Sequence, residues 1–182
     1  MSVVVITPPA PLVSLALAKQ HLRIDGGDED VLVQAYIAST TDHIDGPEGW
    51  LGRAIGSQTL EWRGPAFPAN PSLALPLGPA RSIVSVKYLD QAGVDQTWPD
   101  ANYRLVGDCL TPDSDVVWPR YREEANAVRV QWVAGYEATP PAIVGAVLLL
   151  IGEAYSNREP VLDLTMSSAA GRLLKPFKNW RV

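Results

Sequence analysis

Four acidic side chains near the amino terminus are the residues of this sequence best suited to bind a metal ion. They are Asp25, Asp28, Glu29 and Asp30. Hard cations such as Ca²⁺ prefer several oxygen ligands from one short loop, but this run lacks the glycine and distal glutamate spacing of an EF-hand. Acidic residues at a helix start are also explained by the helix dipole and by capping. We therefore expect a helix start here and no bound metal.

The remaining reactive side chains do not form a recognisable catalytic set. His21 and His43 are the only histidines, and Cys109 is the only cysteine. A structural zinc site needs four ligands, mostly Cys and His. The sequence also lacks the GxSxG, GxxxxGK[ST], HExxH and GxGxxG motifs of common hydrolases and nucleotide-binding proteins. It therefore predicts no catalytic residues, no cofactor and no enzymatic activity.

Composition and charge limit the class of protein. The chain has 182 residues, 47% of them hydrophobic, and a net charge of −5. Such a charge argues against a protein whose main function is to bind phosphate groups, because that affinity comes from clustered Lys and Arg. Neither the amino terminus nor the longest apolar run, AIVGAVLLLIG, reaches the roughly 20 residues of a membrane span. We therefore expect a soluble, unsecreted chain with no membrane partner.

Periodicity predicts helices at both ends of the chain and strands between them. Helices are predicted over about 14–24, 28–45 and 140–157, where apolar residues recur at helical spacing. Short runs rich in Val, Ile, Tyr and Trp predict strands across about 57–135. Within them, the run from Asp90 to Gly93 is typical of a hairpin connection. Short links between successive strands predict a mainly antiparallel sheet.

These elements predict an α+β fold dominated by a helical bundle. The bundle would contain two amino-terminal helices and one apolar carboxy-terminal helix, with a small antiparallel β insertion and an extended C-terminal arm. Residues 1–163 would form a single domain and 164–182 the arm. The predicted apolar helix has hydrophobic side chains nearly all round, which indicates packing on more than one side.

The predicted arm has a composition suited to binding another chain. Residues 164–182 carry a charge of +4, whereas residues 1–163 carry −9. Large apolar anchors with a charged surround are common in protein interfaces. We expect residues 171–182 to pack against another subunit. The interface residues predicted there are Arg172, Leu173, Leu174, Lys175, Phe177, Lys178 and Trp180.

The order of these elements resembles the head-tail connector, or adaptor, family of tailed bacteriophages, including the gp6-like and phiE125 gp8-like proteins and related subunits of gene transfer agents. The resemblance covers nearly the whole chain, but none of the segments that carry it is catalytic. Those segments are LALAKQHLRIDGGDEDVLVQAYIAS, GWLGRAIGSQTLEW, LPLGPARSIVSVKYLDQAG, NYRLV, VRVQWVAGYEATPPAIVGAVLLLIGEAYSNRE and LLKPF. One departure is DHIDGPEGW, where Gly46, Pro47 and Gly49 interrupt a second helix that often runs on in this family.

The resemblance implies a structural protein of the virion neck, assembled in the bacterial host cytoplasm. Its subunits would form a homo-oligomeric ring, usually twelvefold, beneath the portal. The ring would join the head to a stopper or tail protein, with DNA only as passing cargo. An acidic body suits such a channel, because it repels phosphate.

Other functions remain open on the sequence alone. Another neck subunit, such as a stopper or tail terminator, fits nearly as well. The six tryptophans also permit a carbohydrate-binding module, which predicts several exposed indole rings in one groove. A small metal-dependent hydrolase would depend on Asp28 or Asp30.

Overall fold

The fold is taken from a computed structural model that describes residues 2–158, 165 and 167–180. The chain divides into two compact units, and each is built from two separate stretches of sequence. The first, the sheet unit, contains Met1–Pro8 and Ser57–Gly135. The second, the helical unit, contains Pro9–Gly56 and Tyr136–Val182. The chain therefore passes between the units three times.

The sheet unit contains two antiparallel sheets. The larger has five strands in the order β1-β2-β8-β4-β5, and the smaller has three in the order β3-β7-β6. A 3-10 turn, Asp100–Asn102, precedes β6. The strands are β1 (Ser2–Thr7), β2 (Gln58–Gly64), β3 (Leu73–Ala74), β4 (Ala80–Leu89), β5 (Asp95–Trp98), β6 (Tyr103–Val106), β7 (Cys109–Pro112) and β8 (Val128–Ala134).

The central strand β8 shows why the larger sheet has one apolar face. Buried and half-buried residues alternate along it, which is the period-2 pattern of a strand. Trp132, fully buried, lies directly opposite Leu60 of β2, and Val130 lies opposite Trp62. Cross-strand apolar pairs of this kind stabilise a sheet. They form the core face of the sheet unit.

The predicted hairpin is confirmed. Strands β4 and β5 pair antiparallel across the turn that follows Leu89. The Asp90 carboxylate accepts hydrogen bonds from the backbone N–H groups of Ala92 and Val94, both at 2.9 Å, and Gly93 adopts a φ of +82°. Asp90 thus holds the turn with its side chain, while glycine occupies the position that needs a left-handed backbone.

The opposite face of the larger sheet holds a buried carboxylate. Glu61 of β2 is only 6% exposed and accepts hydrogen bonds from Arg63 at 2.5 Å and Gln131 at 2.6 Å. Burial raises the pKa of Glu61, but these hydrogen bonds and the charges of Arg63 and Arg129 outweigh it. The net pKa lies below the usual value of 4.5. The ionised form is therefore the one that the folded sheet prefers.

We expect Glu61 to make the stability of the protein depend on pH in the acid range. A carboxylate with a lowered folded pKa contributes stability above its unfolded pKa and loses it as the pH falls through the folded pKa. Urea unfolding between about pH 6 and pH 3 should show a smaller acid-induced loss for Glu61→Gln than for the wild type. Glu123→Gln, which alters an exposed carboxylate, is the control and should behave as wild type. Identical pH profiles for wild type and Glu61→Gln would contradict the assignment.

The helical unit contains four α-helices in the described residues. They are α1 (Leu15–Leu22), α2 (Asp30–Ile44), α3 (Pro141–Asn157) and α4 (Ala169–Leu174), the last followed by a 3-10 turn, Lys175–Phe177. Ser14 caps α1 by accepting a hydrogen bond from the Leu17 N–H at 3.2 Å. Pro141 opens α3 in the first turn, where its missing N–H is not needed.

Helix α3 lies at the centre of the core of this unit. Ile143, Val147, Leu150 and Ile151 are fully buried and belong to one hydrophobic cluster with residues of α1, α2 and α4. The apolar character nearly all round α3 is therefore explained mainly by neighbours in the same chain. Leu149 is the exception, because it remains 40% exposed.

A buried aspartate holds the segment that follows α2. Asp45, 7% exposed, ends the helix in an extended conformation. Its carboxylate accepts hydrogen bonds from the backbone N–H groups of Ile55 at 2.7 Å and Gly56 at 3.0 Å. Gly46 follows with a φ of +80°, which turns the chain. The interruption in DHIDGPEGW thus begins a loop, residues 46–55, whose two ends are held together by the Asp45 carboxylate.

The predicted fold class is wrong. The chain is not mainly a helical bundle with a small β insertion, because the described residues form eight strands in two sheets and only four helices. Strand β1 lies in a stretch for which no strand was predicted, and it extends the larger sheet. The extended C-terminal arm is also wrong, since that stretch contains α4 and a 3-10 turn. Within the described residues, every helix is too short or too polar to cross a bilayer.

Candidate functional site at the C-terminal segment

Residues 167–180 form a folded segment, called here the C-terminal segment. Ser168 caps α4, because its hydroxyl accepts a hydrogen bond from the Gly171 N–H at 2.9 Å. The same hydroxyl donates to the Thr165 carbonyl at 2.9 Å. A Cβ on Gly171 would lie 2.0 Å from that carbonyl oxygen, so only glycine fits there. The start of the segment is therefore fixed by local geometry.

Two apolar side chains of the C-terminal segment pack against the core of the helical unit. Leu174 is fully buried in the hydrophobic cluster. Phe177 is half-buried and meets the Tyr136 ring edge-on, with 6.4 Å between ring centroids. The backbone N–H of Asn179 donates to the Leu51 carbonyl at 2.9 Å. These contacts dock the segment onto its own chain.

Near the end of the C-terminal segment, Lys178 contacts two tryptophan rings. Its ammonium nitrogen lies 3.7 Å from the centroid of the Trp50 ring and 5.4 Å from that of Trp180. Both distances fall within the range of a cation–π interaction. The lysine thus lies between two indole rings, and the outer ring, Trp180, is 64% exposed.

The other face of the C-terminal segment is open to solvent and combines apolar with cationic groups. Leu173 is 37% exposed, and its Cδ1 lies 3.8 Å from the position of a Cβ on Gly145 of α3. Leu149, one turn further along α3, is also exposed. Arg172 and Lys175 are exposed and form no ion pair among the described residues. An exposed tryptophan and leucines with cations beside them suit a protein interface.

The structure thus divides the seven residues predicted as a partner interface. Arg172, Leu173, Lys175 and Trp180 are available to another chain. Leu174 and Phe177 pack inward, and Lys178 lies against Trp50. Contact of this set with a partner stays a prediction. Arg181 and Val182, at the end of the predicted arm, and most of the stretch 159–166 lie outside the described residues.

Sequence reasoning missed the residues that receive the segment. Trp50, Leu51 and Tyr136 lie far from it along the chain, and no local pattern connects them to it. The sequence did indicate that Leu149 is unusual, because it is an apolar residue outside the main apolar face of α3. The sequence could not show that Leu173 would lie beside the same helix.

The acidic run near the amino terminus takes part in contacts within the helical unit. Asp30 pairs with Lys19, and Glu29 accepts a hydrogen bond from the Tyr155 hydroxyl at 2.7 Å. This hydrogen bond, followed by burial, raises the pKa of Tyr155. The ring of His21 packs near Gly152 of α3, with Nε2 3.5 Å from the position of a Cβ there. Among the described residues, no three His, Cys, Asp or Glu side chains are grouped so as to hold a metal ion.

The tryptophans do not form the groove expected of a carbohydrate-binding module. Trp62, Trp98 and Trp132 are buried, with at most 5% exposure. Trp118 stacks on Phe67 with 4.7 Å between ring centroids, inside an aromatic cluster of the sheet unit. All six tryptophans lie in the described residues, and Trp180 is the only exposed one. A single exposed indole ring suits a contact anchor better than a sugar-binding platform.

Comparison with solved structures gives full-length matches, although no family model and no curated protein sequence matches the chain. One match, from the neck of an empty gene transfer agent particle computed with C6 symmetry, has a TM-score of 0.80 at 22% identity. A second, from the virion of a native gene transfer agent particle, has a TM-score of 0.79 at 22% identity. A third, from the neck of a native particle computed with C12 symmetry, has a TM-score of 0.73 at 20% identity. Each match covers 100% of this chain and 97% of the other, so the fold is shared from end to end.

Proposed function

We propose that the chain is a structural subunit of a virion neck, in the position of a head-tail connector or adaptor. The observation that carries this proposal is the match over 100% of this chain to chains from necks of gene transfer agent particles. A shared fold without shared motifs is what a structural role permits, because such a role depends on shape and surface more than on fixed catalytic groups. The proposed role is not enzymatic.

The proposed subunit acts as a member of a homo-oligomeric ring. Two of the matching neck structures were computed with C6 and C12 symmetry, which is consistent with subunits arranged about a central axis. The ring would lie under the portal in the virion neck, with twelve copies, and meet a stopper or tail protein on its other side. DNA would pass through the ring without specific binding, in keeping with the net charge of −5. Assembly would take place in the host cytoplasm.

The open face of the C-terminal segment is the proposed contact with the portal or a neighbouring subunit. Leu173 and Trp180 supply the apolar anchors, and Arg172 and Lys175 supply charges for acidic groups at the rim. Leu174, Phe177 and Lys178 make contacts within their own chain. They hold the segment in place from beneath, so that the anchors are presented in a fixed geometry.

We expect Trp180→Ala to weaken binding to the cognate portal by about thirtyfold or more, as for a buried aromatic anchor worth about 2 kcal/mol. Because Trp180 is 64% exposed in the free chain, the fold should be retained, and circular dichroism would check it. Co-sedimentation of full-length chain with purified portal measures the affinity. Val117→Ala, at an 81% exposed valine of the sheet unit, is the matched control.

Equal binding by wild type and Trp180→Ala would exclude Trp180 as an anchor of the portal contact. Absence of binding by the wild type itself would contradict the adaptor position. In that case a stopper or tail terminator becomes the better assignment, because the matching chains are described only as belonging to the neck or virion. Labelling the chain in intact particles and locating the label by electron microscopy would then distinguish a stopper from a tail terminator.

A further inference from the structure

Strand β1 forms one edge of the five-stranded sheet. It pairs with β2 on one side, from Ser2 opposite Arg63 to Thr7 opposite Thr59, and no described strand lies on its other side. In an antiparallel pair, alternate residues direct their N–H and C=O groups away from the partner strand. With respect to residues 2–158, 165 and 167–180, the outer side of β1 therefore presents a row of unpaired backbone donors and acceptors.

The β1 edge lacks most of the features that normally prevent strands from pairing between molecules. Natural sheets protect their edges with charged side chains, prolines or bulges. The sequence of β1, SVVVIT, contains no charge and no proline, and a single register shift lies between Val5 and Thr7. Val4, Val5 and Ile6 are 36%, 36% and 44% exposed. A hydrophobic, unprotected edge of this kind is typical of a strand that pairs with another chain.

The opposite edge of the same sheet is formed by β5. Among the described strands β5 pairs only with β4, and its residues Asp95, Gln96 and Thr97 are exposed. Asp95 forms an ion pair with Arg129, and Arg63, which lies beside β1, pairs with Glu61. The two edges thus differ in side-chain type, since β1 exposes apolar residues and β5 exposes polar ones. They are two different surfaces of one subunit, which is what a head-to-tail contact requires.

We propose that β1 of one copy pairs with the free edge of β5 of the next copy, so that the five-stranded sheet continues from subunit to subunit. The proposal rests on the ring assembly of the proposed function. A ring needs a contact between two different surfaces of the same subunit, because a contact between two identical surfaces closes a dimer. The two ends of one open sheet provide such a pair of surfaces.

The size of the contact explains why it would operate only inside an assembly. Strand β5 has four residues, so the paired length is about 13 Å. A contact of that length buries far less than the 1,200 Å² or so of stable complexes. Strand pairing would therefore set the angle and register between neighbours, while other contacts of the ring supply most of the affinity.

Continuity of the sheet predicts which side chains of neighbouring copies lie together. Register across β2, β8 and β4 places Ser2 of β1 and Thr97 of β5 in one row on the same face. Val4 shares that face, whereas Val5 and Gln96 lie on the other. Within one copy, β1 and β5 are separated by three strands, or about 19 Å, which is too far for a disulfide bond.

Disulfide cross-linking tests the proposal on the portal-bound assembly. In a Cys109→Ser background, each position from Ser2 to Ile6 is changed to cysteine together with either Thr97→Cys or Gln96→Cys. We expect oxidised rings to give dimers and higher multimers on non-reducing gels for same-face pairs, such as Val4 with Thr97 and Val5 with Gln96. Mixed-face pairs, such as Val4 with Gln96, should give about tenfold less product, because their Cβ atoms point to opposite sides.

The outcomes separate this proposal from the proposed function. Rings that form on the portal, are seen by electron microscopy and give no same-face cross-links would overturn strand pairing while leaving the neck role intact. Equal cross-linking of same-face and mixed-face pairs would also overturn it. Failure of the wild-type chain to form any ring would contradict both proposals.

Discussion

Leu174→Ala should lower the free energy of unfolding by about 2–5 kcal/mol, as measured by urea denaturation at neutral pH. The side chain is fully buried in the core of the helical unit, among residues of α1, α2 and α3. Truncation removes buried apolar surface and leaves a cavity that neighbouring helices fill only in part. The expected loss is a large fraction of the stability of an ordinary domain.

Leu173→Ala is the matched control, since it removes the same atoms from the adjacent residue. Leu173 is 37% exposed, so we expect a loss below about 1 kcal/mol. Portal binding should show the reverse order, with the larger effect at Leu173. Equal destabilisation by the two variants would mean that the C-terminal segment is not docked as described. A truncation that removes the whole segment would not separate these effects, because it deletes Leu174 together with the proposed anchors.

Asp45→Ala should destabilise the protein by about 2–4 kcal/mol, because two buried backbone N–H groups lose a charged acceptor at once. Those groups belong to Ile55 and Gly56, which lie at 2.7 and 3.0 Å from the carboxylate oxygens. Ile55 is itself fully buried, so solvent cannot replace the lost acceptor there. Thermal and urea unfolding would both report the change.

Two further substitutions make the Asp45 result specific. Asp45→Asn keeps one oxygen acceptor and should cost less than Asp45→Ala. Asp42→Ala removes an exposed carboxylate three residues earlier in α2 and should change stability by less than about 0.5 kcal/mol. If Asp42→Ala lowered the stability as much as Asp45→Ala, the effect would arise from charge or helix propensity and not from the lost hydrogen bonds to Ile55 and Gly56.

Local signals predicted most of the helices and strands but not the fold class. Helices were predicted over about 14–24, 28–45 and 140–157, and α1, α2 and α3 lie within those ranges. Caps and periodicity explain this agreement, because both act over a few residues. The share of β-structure was underestimated, because the strand content depends on how many short strands pair with strands far away in the sequence. Strand β1, which pairs with β2 more than fifty residues away, is the clearest example.

The candidate site was predictable in composition but not in orientation. Charge and apolar content singled out the C-terminal segment. Leu173 and Leu174 are adjacent and chemically identical, so only the packing of α4 on α3 decides which one is buried. Helix α4 has six residues, too few to show a period, and its docking contacts with Leu51 and Tyr136 depend on tertiary structure. An extended arm was the natural but wrong interpretation of such a short element.

The interleaving of the two units has a consequence for synthesis of the protein on the ribosome. Strand β1 leaves the ribosome before its partner β2, which begins at Gln58, and the central strand β8 begins only at Val128. The helical unit is likewise incomplete until α3 and α4, which follow the strands in the chain, have been synthesised. Neither half can close while the chain is still short, so a nascent or prematurely ended polypeptide exposes unfinished cores and is a substrate for chaperones and proteases. Quality control of this kind would remove incomplete chains before they meet any partner.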